Sequence, residues 1–117
     1  MTKSEAYDLL LDKEFLVGLW SDGECLCPVS HLVLKDEHEM DIWEDSNSPG
    51  FVSRIAERAG ADKSNIVDFV EWWDHEADKE NDSLYYVSMF GPNQYVRHVT
   101  PDLARQMVDK MVWLDEG

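Results

Sequence analysis

The stretch Ile55-Ala56-Glu57-Arg58-Ala59-Gly60-Ala61-Asp62-Lys63-Ser64-Asn65-Ile66-Val67-Asp68-Phe69-Val70 organises the chain. It reads as two helices joined by a tight turn. Ala56 and Ala59 are small enough to let two helices approach. Gly60 supplies the left-handed residue that ends a helix. Asp62 sits where a second helix wants its cap. Beyond the turn, Ile66, Phe69, Val70, Trp73 and Ala77 share one face at the 3.6-residue period. The opposite side carries Asp68, Glu71, Trp72, His75 and Asp78. The spacing predicts helices over 51–59 and 62–78, after a loop at Ser46-Asn47-Ser48-Pro49-Gly50.

Near the N-terminus, Thr2 and Glu5 have the spacing of a capping box, which predicts a helix over 2–13. Phe15–Trp20 reads as a strand and Ser21-Asp22-Gly23-Glu24 as a turn. Glu24–Cys27 and His31–Leu34 are expected to continue a small antiparallel sheet, with Pro28 at an edge or break. Leu84–Phe90 and Tyr95–Val99 predict a second hairpin across Gly91-Pro92-Asn93-Gln94, with Tyr85 and Tyr86 pointing to opposite faces. Thr100 caps a last helix over 101–114, with Pro101 at its first position. Leu103, Met107, Met111 and Leu114 line one side of it. The expected class is α+β: about four helices on a small antiparallel sheet built from hairpins near 15–34 and 84–99. At 117 residues the chain is expected to form one domain, 1–117.

Charge is the strongest compositional signal. The 25 Asp and Glu outnumber the 10 Lys and Arg, for a net charge of −15. Two blocks hold 13 of the 25 acids. Residues 36–45 contain Asp36, Glu37, Glu39, Asp41, Glu44 and Asp45 with no base. Residues 68–82 contain seven acids and only Lys79, while residues 51–67 are net +1. Clustered cations for phosphate neutralisation are missing, which disfavours direct DNA binding. No apolar run reaches the ~20 residues of a membrane span. Lys3, Glu5, Asp8 and Asp12 near the start read as neither signal nor transit peptide. Cys25 and Cys27 are too few for a disulfide framework and read as reduced thiols, so a cytoplasmic location is expected.

Little in the sequence carries catalytic chemistry. Cys25-Leu26-Cys27 with His31 has the beginnings of a zinc set. Its fourth ligand would have to be His38 or a carboxylate, and two buried thiols are the better reading. The acidic block 36–45 lacks the glycine and ligand spacing of a calcium loop. Phosphate loops, nucleophile elbows and His-Glu-x-x-His motifs are missing. His31, His38, His75 and His98 are scattered. The chain is therefore expected to be no enzyme and to need no metal or cofactor.

The 55–70 stretch resembles the helix-turn-helix of lactose-repressor-type DNA-binding domains. That resemblance implies that Lys63, Ser64, Asn65 and Asp68, in the first turns of the second helix, read bases in the major groove. Asp68, Glu71, Asp74, Glu76 and Asp78 run against it, because each would repel a duplex.

The expected function is that of an acidic binding or inhibitory protein. It would present carboxylates to a basic protein surface, such as that of a nuclease or another nucleic-acid-binding protein. In charge and size it looks like the acidic DNA mimics that phages deploy against restriction or CRISPR nucleases. The expected contact residues are Asp68, Glu71, Trp72, Asp74, His75 and Asp78, extended by Asp36, Glu37, Glu39, Asp41, Glu44 and Asp45. Trp72, ringed by charge, is either an interface anchor or packed under a neighbouring strand. Trp20, Trp43 and Trp113 are expected in or at the edge of the core. A small helix-turn-helix regulator and an assembly or adaptor protein are the alternative functions.

Overall fold

The computed structural model describes residues 1–18, 20, 26–77, 84–86 and 95–116. The fold is α+β. The elements are α1 (Lys3–Leu10), β1 (Glu14–Val17), α2 (Pro28–Val33), α3 (Glu39–Asp45), α4 (Phe51–Ala59), α5 (Lys63–Glu71), β2 (Leu84–Tyr86), β3 (Tyr95–His98) and α6 (Pro101–Lys110). A π-helical turn, Trp72–Glu76, extends α5.

The three strands form one antiparallel sheet in the order β1-β3-β2. β3 is central, with Phe15 opposite Arg97 and Leu16 opposite Val96 on one side, and Leu84 opposite Arg97 on the other. Of the expected pairing of 84–90 with 95–99, Leu84–Tyr86 lies antiparallel to Tyr95–Arg97, and residues 87–90 lie outside the described residues. The turn, Gly91–Gln94, also lies outside the described residues, as do the side chains of Tyr85 and Tyr86. Among the described residues, no helix is long and apolar enough to cross a membrane.

Local chemistry accounts for most helix starts. Glu5 N–H donates to Thr2 Oγ1 at 3.2 Å, and Thr2 N–H donates back to Glu5 Oε1 at 3.3 Å, completing the capping box. Leu103 N–H donates to Thr100 Oγ1 at 3.3 Å at the start of α6. Gly60 adopts φ 69°, and Ala61 N–H closes the end of α4 onto the Ala56 carbonyl at 2.9 Å. Asp62 occupies the N-cap position of α5, but its side chain makes no capping bond.

Several boundaries and one element differ from expectation. α1 stops at Leu10 because Asp12 takes a left-handed conformation and its N–H donates to the Val99 carbonyl, turning the chain into β1. The sheet expected over 15–34 is only half present. Leu16 N–H donates to the Leu26 carbonyl at 2.9 Å, so the chain does return beside β1. Residues 28–33 then form a helix, not a strand. Pro28 is preorganised for the first helical position, and Cys27 Sγ accepts the Ser30 N–H at 3.3 Å. The acidic block also folds, as α3, with Ile42 fully buried beneath it. Acids in its first turn, Glu39 and Asp41, suit the positive end of the helix. The last helix ends at Lys110; Met111 and Leu114 still reach the core from the turn that follows. That turn is tied to the first residues by Lys3 N–H to the Asp115 carbonyl and Asp115 N–H to the Met1 carbonyl.

The core collects Ala6 and Leu10 of α1, Phe15 of β1, Ile55 of α4, Ile66 and Phe69 of α5, and Leu103 and Met107 of α6. Trp73 is its largest fully buried side chain. Its Nε1 donates to the Leu16 carbonyl at 2.7 Å, which fastens α5 to the sheet. The Arg97 guanidinium stacks 4.7 Å from the Trp73 ring and donates to the Trp73 carbonyl, fully buried. A charged group is accepted there because an aromatic face and a carbonyl dipole both favour the cation. Sequence reading did not single out Arg97.

Candidate functional site: two acidic faces

The acids of residues 36–45 divide into two sets. Glu37 receives hydrogen bonds from both Arg54 and Arg58, and Asp45 pairs with Arg54 at 2.6 Å. These carboxylates clamp α3 onto α4. Asp36, Glu39, Asp41 and Glu44 are exposed. Among them stand Met40 and Trp43, exposed by 43% and 41%. Trp43 was expected in or beside the core; instead Ile42 alone turns inward, because a helix seven residues long offers one narrow face to α4.

The second face lies on α5 and its π-helical turn. Asp68, Glu71 and His75 border one shallow groove together with Glu76 and Trp72. Trp72, however, is buried, with only 7% of its surface exposed. Its ring packs against Phe69, centroids 5.8 Å apart, and Lys110 Nζ sits 5.8 Å over it. Trp113 meets Phe69 edge-on at 6.1 Å. The end of α6 and the turn after it thus widen the apolar side of α5 until it includes Trp72. Of the two readings of Trp72, an exposed anchor and packing under a neighbouring element, burial excludes the exposed anchor, and the cover is α6 and the turn after it, not a strand. Asp78 lies outside the described residues.

Asp74 also leaves the expected contact face. Gly18 N–H donates to its Oδ1 at 2.8 Å, joining the π-helical turn to the end of β1. Burial pushes the Asp74 carboxyl above its ordinary value, opposed by the Gly18 N–H and by the charges of His75 and Arg97. The folded state therefore holds this proton more tightly than the unfolded chain. Ionised Asp74 costs stability, fully above its folded pKa and not at all below its unfolded one. Asp74→Asn keeps an acceptor for Gly18 without the charge. We expect it to melt higher than wild type at neutral pH, with the gap closing as pH falls through the carboxylate range. Melts across that range check this; a gap that widens on acidification would contradict it.

Asp74 and Gly18 also line a cavity of about 30 Å³ with Trp20, Cys27, Phe69 and Trp73. That volume suits one or two waters, not a substrate. The Cys27 thiol is buried, hydrogen-bonded to Ser30, and pushed up to about 11 by desolvation. His31 packs on Phe15 at 5.2 Å, and burial lowers its basicity. Cys25 lies outside the described residues. Among the described residues no three His, Cys, Asp or Glu are grouped to hold a metal ion. We expect the thermal transition to be unchanged by chelator. Loss of a cooperative melt on chelation, restored by zinc, would overturn this.

Compared with known proteins, the chain matches no family model, no curated protein and no solved structure.

Proposed function

We propose that this chain is a cytoplasmic binding protein, not an enzyme, whose carboxylates engage a basic surface of a partner protein. Surfaces that hold nucleic acid are the natural targets, so binding would exclude the nucleic acid, as a DNA mimic does. The observation that carries this reading is how the chain uses its own cations. Arg54 and Arg58 are engaged by Glu37 and Asp45, Lys3 by Asp109 and Glu116, and Arg105 by Asp102, while Arg97 is buried. Among the described residues these five cations are thus spent internally, whereas Asp36, Asp41, Glu44, Asp68 and Glu71 remain exposed. Such a surface speeds encounter with a cationic partner in a salt-dependent way.

Affinity capture from cells that carry the protein tests this, at low and at high salt. A basic protein retained at low salt, and displaced by salt or by duplex DNA, is the expected result. A partner that ignores both would favour an assembly or adaptor role. The regulator reading draws support from the helical hairpin about Gly60, which places Lys63 and Ser64 on an exposed first turn. Asp68 and Glu71 occupy the same exposed side one and two turns on, which weighs against it. We expect no sub-micromolar binding of a random duplex near 0.15 M salt, where non-specific sites hold even dedicated DNA-binding proteins at only about 10⁻⁴–10⁻⁶ M. Fluorescence anisotropy of a labelled duplex measures this. Tight binding that Lys63→Ala weakens would establish the regulator instead.

A further inference from the structure

The acidic proteins that most simply exploit charge need no apolar contact, yet α3 exposes two large apolar side chains in its most acidic segment. Met40 and Trp43 are three residues apart and therefore adjacent on one helix face. Ile42 points the other way and is fully buried. The Arg54 and Arg58 bonds to Glu37, just before α3, and the Arg54 bond to Asp45, its last residue, hold the helix at both ends. The Trp43 carbonyl is tied down by Ser46 Oγ at 2.7 Å. The helix is thus fixed from behind, while Met40 and Trp43 on its outer face keep about two fifths of their surface open to solvent.

We infer that α3 is a docking helix: Met40 and Trp43 enter an apolar pocket of a cationic protein surface, and Asp36, Asp41 and Glu44 meet the pocket's basic rim. This deepens the function proposed above and rests on it. Charge complementarity selects the occupant. Arg54 and Arg58 are already engaged by Glu37 and Asp45, while Asp36, Asp41 and Glu44 stay exposed beside a single exposed lysine, Lys35, so the segment presents net negative charge. A second copy of so acidic a chain would be repelled, and so would an anionic membrane. Tryptophan and an apolar neighbour inside a charged ring also match the anatomy of a protein interface, with a desolvated anchor and a polar rim.

Two synthetic peptides of equal positive charge test this on the full chain by fluorescence anisotropy at low salt. One contains only lysine and glycine; the other interleaves lysine with leucine in a helical pattern. Wild type is expected to bind the lysine–leucine peptide at least about tenfold tighter, the order of effect one anchoring residue supplies. The double variant Met40→Ser, Trp43→Ser should bind both peptides alike, with its melt unchanged. Val112→Ser, at the most exposed large apolar residue of the described chain (64%), should keep the wild-type preference. Asp41→Asn with Glu44→Gln should weaken both peptides. If the Met40/Trp43 variant retains the preference, or if wild type binds both peptides equally, the docking helix is wrong while the carboxylate reading stands. If wild type binds neither peptide, the carboxylate reading falls and takes the docking helix with it. Binding to vesicles of zwitterionic lipid that the double variant loses would make α3 a membrane contact, which also overturns the inference.

Discussion

Trp73→Ala is expected to lower stability by about 3–5 kcal/mol, the range for emptying a buried tryptophan site. The side chain is 1% exposed, and three separate attachments converge on it. Its indole N–H holds the Leu16 carbonyl, its ring carries Arg97, and its face packs in the core beside Phe69. Removing it opens a cavity, leaves a strand carbonyl without its donor, and leaves a buried cation without its aromatic partner. A loss of this size approaches the whole stability of many small domains, about 5–15 kcal/mol. Melting temperature should fall by about ten degrees or more, at roughly 4 °C per kcal/mol for a chain of this length. Trp73→Phe, which keeps the ring but not the N–H, should fall between the two. A Trp73→Ala protein that melts like wild type would mean that α5 is not fastened to the sheet through this residue.

The second large effect separates two tryptophans that look alike in sequence. Trp72→Ala is expected to cost about 3 kcal/mol, because its ring fills space between Phe69 and Lys110. Trp43→Ala, at an exposed site, should stay within about ±0.5 kcal/mol. Trp72→Phe should be far milder than Trp72→Ala, since Trp72 Nε1 meets no acceptor among the described residues and its loss leaves no partner stranded. Urea melts of the three variants side by side measure this. Equal stability for Trp72→Ala and Trp43→Ala would contradict the packing of α6 over Trp72. If a partner is found, binding should show the reverse order, with Trp43→Ala the damaging change.

These two tryptophans also show where a design against the partner surface would begin. On the function proposed here, only some of the acids are free of a scaffold role. Substituting Glu37 or Asp45 disturbs how α3 sits on α4 before it changes any contact, whereas Asp41 and Glu44 can be altered with the scaffold intact. Charge-scanning experiments that pool the whole 36–45 segment would mix these two effects.

Features set by residues close together in the chain are legible in the sequence by itself. The Thr2–Glu5 capping box, the Thr100-Pro101 helix start and the left-handed Gly60 each depend on bonds within a few residues. The span of α4 and the inward face of Ile66, Phe69 and Trp73 follow from a 3.6-residue repeat that is local in the same sense. So does the pairing of β2 with β3, neighbours along the chain. Other features depend on what is brought alongside from far away. Trp72 and Trp43 each sit among carboxylates, and nothing in that neighbourhood says that α6 will cover the first and leave the second partly exposed. Asp74 reads as one more surface acid until Gly18, 56 residues earlier, donates to it. Arg97 looks like an ordinary strand residue until Trp73 closes over it. His31–Leu34 suited a strand by its apolar content, yet the chain from Pro28 to Val33 folds as a helix beside α1 and α4. Burial is a property of the pair of surfaces that meet, so a pattern along one of them specifies an apolar stripe but not its width or its cover.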